Sequence, residues 1–209
     1  NTFYHACSYA KVDSSHFMNI TAKVALRMIP DSLATQPIFL CVDDTMVAKA
    51  GTRFENVSKL FDHAAHNGSN YLNGHCFVSI MLCIPVWKND RVSYLSLPLG
   101  YRMWQKKESK LELAASMIRQ VMPEFQEKKQ VIILCDSWYT KRNLVSIVDE
   151  YLNLDLIGNA RIDSVMYAPA HTGRRGRPAK HGKRLSVETD FAFSNEKIGD
   201  YYIGAHRVI

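Results

Sequence analysis

The sequence predicts an α/β domain in which a mixed five-stranded sheet is flanked by helices. Three observations lead to this prediction. Apolar and turn patterns give the element order β-β-β-α-β-α-β, which suits a hairpin-containing sheet continued by helix-connected strands. Two of the runs, IFLCVDD and VIILCD, are apolar up to their final carboxylates, as in strands covered on both faces. The 209 residues, 47% apolar and 22% charged, suit one globular domain with room for an appendage.

The first half of the chain supplies a helix and three strands. An apolar stripe at helical spacing precedes Pro30 and predicts a helix. Its buried face would consist of Phe17, Ile20, Val24 and Met28. IFLCVDD (38–44) predicts a buried strand that ends in two carboxylates. HCFVSIMLCIPVW, the turn KND and RVSYLSLPL (75–99) together predict a β-hairpin.

The second half alternates helices and strands. A helix closed by Pro123 is predicted from an apolar stripe of Leu111, Ala114, Ala115, Ile118 and Met122. VIILCD (131–136) repeats the pattern of the first strand and ends in Asp136. A further helix is predicted from Leu144, Ile147, Val148 and Tyr151. LDLIGNA (154–160) completes the sheet.

Two carboxylates are predicted to meet at one edge of this sheet. If 38–44 and 131–136 are central, parallel neighbours about 4.8 Å apart, Asp43 and Asp136 lie at the carboxyl end of the sheet, where such sheets bind ligands. Two unpaired carboxylates at that distance repel, so either one of them takes up a proton or a cation lies between them. All-oxygen ligation favours Mg²⁺ or Mn²⁺, and two such ions can drive phosphodiester hydrolysis or strand transfer.

The net charge of +6 is concentrated in one short segment, HTGRRGRPAKHGKR (171–184). Its basic side chains are Arg174, Arg175, Arg177, Lys180, Lys183 and Arg184. Without these six, the basic and acidic counts of the chain are equal, which predicts a polyanion as the partner. Residues 175–178, RGRP, are similar to the core of an AT-hook, which lays Arg side chains in the minor groove of DNA. A loop that contacts phosphates without reading sequence is the alternative.

Three segments in this order, VDDTMVAKAG, LCDSWYTKRNLV and GRRGRPAKHGKR, resemble the DDE transposases of bacterial insertion sequences. Within that family they resemble the insertion-sequence-four-like group, which has an insertion inside an RNase H-like core. The resemblance implies that Asp43 and Asp136 are the first two catalytic aspartates and the ligands of two Mg²⁺ or Mn²⁺ ions. Alternation along the strand shows only that Asp43 and Asp44 point to opposite faces, so the choice of Asp43 rests on the motif.

The activity implied by this resemblance is DNA transposition. Metal-dependent hydrolysis at the transposon ends would be followed by attack of the freed 3′-hydroxyl on target DNA. The expected partners are therefore double-stranded DNA, at the ends and at the target, and a second copy of the chain as a homodimer in the synaptic complex.

The third acid of the family, a Glu on a helix after the insertion, has no match here. Glu188 and Glu196 follow the basic segment too closely and lie in strand-like sequence. We expect this Glu beyond Ile209, in which case the chain is a fragment that is inactive by itself. The predicted domains are an N-terminal helical segment (1–37), the first part of an RNase H-like catalytic core (38–160) and the start of a β-rich insertion subdomain with the basic loop (161–209).

The sequence contains neither an export leader nor an apolar run long enough to span a bilayer. We therefore expect a cytoplasmic, nucleoid-associated protein without membrane contact. Its five cysteines form no C-x-x-C pair, as is typical of buried thiols in a reducing compartment.

Several alternatives stay open. An RNase H-like nuclease that cuts without joining would use the same aspartates, and an inactive DNA-binding transposon remnant would keep the same basic segment. The ligand types of a zinc site occur, at a spacing that matches no common zinc motif, in His63, His66, His75 and Cys76. Trp138 and Tyr139 directly follow Asp136 and suit either stacking on a base or ribose, or packing at the start of the next helix.

Overall fold

The computed structural model describes residues 14–51, 53–61, 70–125, 129–160, 163–170, 179–199 and 201–206, with Thr2, His5 and Tyr9. The chain divides into two compact units, Asn1–Ala160 and Arg161–Ile209. The elements of the first unit are α1 (Ser14–Arg27), β1 (Ile38–Ala48), β2 (Ser58–Phe61), β3 (Tyr71–Lys88), β4 (Arg91–Met103), α2 (Lys110–Val121), β5 (Val131–Cys135), α3 (Arg142–Val145) and β6 (Leu154–Gly158). Among the described residues, no helix is long and apolar enough to cross a membrane.

The sheet of the first unit has six strands and mixes antiparallel with parallel pairs. β4, β3 and β1 are antiparallel neighbours, and β5 and β6 follow on the other side of β1, both parallel to it. The prediction that the two apolar strands are central, parallel neighbours is therefore confirmed. The sheet has a sixth strand that the sequence did not predict, because β2 pairs with the first four residues of β3.

β1 is longer than the predicted strand, which was expected to stop at its two carboxylates. It continues to Ala48 because β3 offers antiparallel partners as far as Gly74. Its pairing with β5, in contrast, stops at Val42 and Cys135. Asp43 and Asp44 thus lie inside β1, at the point where its parallel neighbour ends.

α1 forms where predicted but buries a different face. Phe17, Ile20, Val24 and Met28, the predicted buried stripe, are all exposed, and the buried side chains are instead Met18, Ala22 and Ala25. Small side chains let the helix approach the sheet closely. At Gly100 of β4, a Cβ atom would lie only 2.8 Å from Cγ of Met18. Close packing therefore selects the face with the smaller residues.

α2 has the predicted buried face, since its apolar stripe is at most 9% exposed. Ser109 caps its first turn: the hydroxyl accepts the Glu112 N–H (3.1 Å), and Glu112 accepts the Ser109 N–H (2.8 Å). The helix predicted around Leu144 is shorter than expected, because α3 passes into a 3₁₀ helix at Ser146–Glu150.

The core of the first unit lies between the sheet and the two longer helices. Ile38, Leu40 and Val42 of β1 alternate with half-buried residues, and Ile133 of β5 is fully buried beside them. α1 and α2 pack in this same core. The opposite face of the sheet, which includes Phe39 and Cys41, is only half-buried. The expectation that both faces of these strands are covered is therefore met on one face only.

The second unit begins at Arg161 and is β-rich. Its described elements are β7 (Met166–Tyr167), β8 (Arg184–Leu185), α4 (Val187–Asp190), β9 (Ala192–Ile198) and β10 (Tyr201–Ala205). β7 pairs with β8, and β9 pairs with β10, both antiparallel.

Candidate active-site cleft

The candidate site lies where β1 and β5 separate. After the last paired residues, Val42 and Cys135, β5 ends and the chain turns at Asp136. Oδ1 of Asp136 accepts the backbone N–H groups of Trp138 (3.0 Å) and Tyr139 (3.2 Å). These hydrogen bonds fix the turn and hold the Asp136 carboxylate at the carboxyl end of the parallel strands.

Asp44 is the most contacted carboxylate at this edge. Its Oδ2 accepts the Lys110 ammonium at 2.7 Å and the Cys76 thiol at 3.4 Å, and its Oδ1 accepts the Tyr139 hydroxyl at 3.2 Å. The side chains of Lys110 and Asp44 are only 16% and 17% exposed. Three different elements, β3, α2 and the turn after β5, therefore hold one carboxylate in place.

All three donors stay protonated at neutral pH. Burial raises the pKa of the Cys76 thiol to about 11, a rise that Lys110 opposes and Asp44 reinforces. Burial, and then the charge and hydrogen bond of Asp44, also raise the pKa of the Tyr139 hydroxyl. Burial by itself lowers the pKa of Lys110, but the hydrogen bond and charge of Asp44 outweigh it and the net pKa is raised.

Asp44 and Asp136 line the same open cleft, which has a volume of about 340 Å³. The lining residues are Asp44, Met46, Lys59, Leu60, Phe61, Trp104, Lys106, Lys110, Asp136 and Trp138. Asp43, the predicted first ligand, is exposed and is not among them. Because side chains alternate along a strand, it points to the opposite face from Asp44. The structure thus brings Asp136 into a shared cleft with Asp44.

Aromatic rings and lysines form the cleft wall. The Lys110 ammonium lies 5.3 Å from the centre of the Trp104 ring and 5.2 Å from that of Trp138, within cation–π range. Tyr139 is 1% exposed, so it packs in the core, whereas Trp138 is 36% exposed and faces the cleft. Of the two alternatives for this pair, packing holds for Tyr139, and only Trp138 is available for stacking.

The donor set of the cleft suits a hard divalent cation. Both acids supply carboxylate oxygens, and Mg²⁺ is commonly held by one or two carboxylates with water and phosphate oxygens completing its shell. An ammonium already lies against Asp44, which marks the position as one that attracts a cation. Among the described residues, no group of three or more His, Cys, Asp or Glu side chains is arranged to hold a metal ion.

The basic segment is only partly described. Arg174, Arg175 and Arg177, with the AT-hook-like residues 175–178, lie outside the described residues. Lys180 and Arg184 are exposed, and the ammonium of Lys183 pairs with Asp190 at 2.7 Å.

The four residues with the ligand types of a zinc site do not form one in the part of the chain that the structure describes. His63 and His66 lie outside the described residues, His75 forms a hydrogen bond with the Glu55 carbonyl oxygen, and the Cys76 thiol donates to Asp44.

Sequence reasoning did not single out Lys110 or Trp104. Lys110 follows the helix-capping Ser109, and Trp104 follows the end of β4. A Trp and several lysines in the loop before a helix are a weak signal, because such residues are also common on plain surfaces. Only the packing of α2 against the sheet, where it contacts β3, brings Lys110 to Asp44.

The mixed sheet and the two acids at its edge define an α/β domain with a candidate metal-binding cleft. A sequence model described as DDE superfamily endonuclease matches residues 1–196 of the 209. The chain therefore belongs to the DDE superfamily endonucleases. This finding confirms the predicted DDE relationship, while the bacterial insertion-sequence group stays a prediction.

Solved structures give more distant similarities. A Mos1 strand transfer complex is 13% identical, with 78% of this chain and 50% of that chain covered and a TM-score of 0.30. A Drosophila P element transposase strand transfer complex is 10% identical, with 81% and 36% covered and a TM-score of 0.32. The chain thus spans half or less of these structures. A search of curated proteins finds no match.

Proposed function

We propose that this chain supplies two carboxylate ligands of a divalent-metal site that cleaves and joins DNA in transposition. One observation carries the proposal: Asp44 of β1 and Asp136, which directly follows the parallel neighbour β5, line one open cleft together with lysines and tryptophans. Membership of the DDE superfamily endonucleases supports it, because that superfamily generally uses divalent metal ions.

Asp44 takes the role that the motif assigned to Asp43. A shared ion needs oxygen atoms on one side of the sheet edge, and Asp43 points away from the face that carries the cleft. Asp136 keeps its predicted role. The N–H groups of Trp138 and Tyr139 engage only its Oδ1, so Oδ2 is the oxygen that we assign to the ion.

Bound Mg²⁺ or Mn²⁺ would activate a water or a 3′-hydroxyl and stabilise the leaving oxygen of the phosphodiester. The residues of this chain prepare the site for that chemistry. Tyr139 and Cys76 orient Asp44, and the turn after β5 orients Asp136. In this proposal a third acid, which the transposase resemblance implies, completes the site.

Double-stranded DNA is the proposed substrate. Lys59, Lys106 and Lys110 line the cleft, and phosphate contacts by such cations dominate the affinity of proteins for DNA. Arg174, Arg175, Arg177, Lys180, Lys183 and Arg184 are proposed to contact the DNA backbone as well. Transposon ends, target DNA and a second copy of the protein would then form the synaptic complex.

Product analysis tests this function. The full-length protein, incubated with a plasmid that carries its own element and with target DNA, is expected to yield joined products when Mg²⁺ or Mn²⁺ is present. Sequencing across the new junctions measures them. Nicks without junctions would indicate a nuclease that does not join, and DNA binding with no cleavage at all would indicate an inactive remnant.

A further inference from the structure

Lys110 has a position that distinguishes it from the other lysines of the cleft. Its ammonium lies 2.7 Å from Asp44 and between the rings of Trp104 and Trp138. In the part of the cleft that the structure describes, Lys59 lies over the Tyr71 ring at 4.5 Å, and Lys106 donates to the Lys59 carbonyl oxygen at 3.2 Å. Among the described residues, neither of these two lysines forms an ion pair with a carboxylate.

We propose that Lys110 is a positioning residue that holds Asp44 as its counter-ion in the metal-free protein, and that a divalent ion must displace it in order to bind. This inference rests on the proposed function, since it takes Asp44 as a metal ligand. Lys110 and the ion then compete for the same carboxylate oxygen, Oδ2.

The surroundings of Lys110 suit such a competition. The ion pair is mostly shielded from water, so it is stronger than a surface pair and keeps the Asp44 carboxylate aimed at the cleft. The two tryptophan rings attract the ammonium independently of Asp44. When Asp44 releases it, the ammonium therefore stays in the cleft wall and does not need to return to bulk water.

If a divalent ion must displace the Lys110 ammonium from Asp44, removing the Lys110 charge is expected to strengthen metal binding. Lys110→Gln keeps a hydrogen-bond donor for Asp44 but removes the competing charge, and we expect the full-length protein to bind Mn²⁺ about tenfold more tightly. Lys110→Arg keeps the charge, and its affinity should stay within about threefold of the parent protein. Electron paramagnetic resonance of the free Mn²⁺ measures both.

Lys106→Gln is the matched control, because it removes a charge from the same cleft without touching Asp44. Its Mn²⁺ affinity should rise by less than about threefold. The inference is overturned if Lys110→Gln binds Mn²⁺ no more tightly than Lys106→Gln. Circular dichroism checks that each variant is folded.

A second measurement needs no substitution. Nuclear magnetic resonance of lysine ammonium groups should show that saturating Mg²⁺ speeds the exchange of the Lys110 protons with water, because the bond to Asp44 is lost. An unchanged Lys110 signal with Mg²⁺ bound would contradict displacement.

The proposed function and the Lys110 inference fail in different ways. Asp136→Asn is expected to abolish Mn²⁺ binding in the same assay. Retained binding would contradict the proposed metal site. If Asp136→Asn loses binding while Lys110→Gln binds like the parent protein, the metal site stands and only the role of Lys110 is wrong.

Discussion

Asp136→Asn is expected to lower metal-dependent DNA cleavage by the full-length protein more than about a hundredfold. Loss of even an outer-shell partner of a metal site costs about 10- to 100-fold, and Asp136 is proposed as a direct ligand. The amide can still accept the N–H bonds that hold the turn, so the fold should persist. Single-turnover cleavage of a labelled plasmid with saturating Mg²⁺ measures the rate.

Asp149→Asn is the matched control for this experiment. Asp149 is exposed in the 3₁₀ helix that follows α3, away from the lining of the cleft. Its cleavage rate should equal that of the parent protein. A rate for Asp136→Asn within about tenfold of the parent would argue against a ligand role for Asp136.

Leu40→Ala is expected to lower the free energy of unfolding by about 2 to 5 kcal/mol, because it leaves a cavity that the surrounding core fills only in part. Leu40 is fully buried on the central strand β1, in the core that also contains α1 and α2. Urea unfolding followed by tryptophan fluorescence measures the change as a lower midpoint at the same slope.

Leu152→Ala deletes the same atoms from a fully exposed site and should leave the midpoint unchanged. A loss below about 1 kcal/mol for Leu40→Ala would mean that β1 is not at the centre of the core. The comparison separates the burial of β1 from the general effect of removing a leucine.

The central strands were predictable because each is an uninterrupted run of apolar residues. IFLCV and VIILC carry no polar side chain, and such apolar runs are typical of central strands in a sheet covered by helices. These two runs form β1 and β5, which are parallel neighbours in the sheet, as expected. β2 was not predictable, since SKLF is short and its pairing depends on the length of β3.

The buried face of α1 shows why periodicity alone can mislead. Phe17 and Val24 belong to the more hydrophobic stripe, yet Ala22 and Ala25 are the residues that pack. The local sequence shows how apolar each stripe of the helix is. It does not show that Gly100, on another element of the fold, leaves room for the Met18 side chain. Small residues at helical spacing are the only local hint.

Which of the two neighbouring aspartates lines the cleft could not be read from the sequence for a related reason. Alternation shows that Asp43 and Asp44 face opposite ways, but the face that carries the cleft depends on where α2 packs. Lys110, at the start of α2, and Tyr139, after β5, both reach Asp44. These long-range contacts leave no local signature.

Asp44 and Asp136 are proposed to bind the same divalent ion. Anomalous scattering from crystals of the full-length protein grown with Mn²⁺ locates that ion. We expect a manganese peak within about 2.5 Å of a carboxylate oxygen of both Asp44 and Asp136. A peak bound by Asp43 and not by Asp44, or no peak at this edge of the sheet, would contradict it.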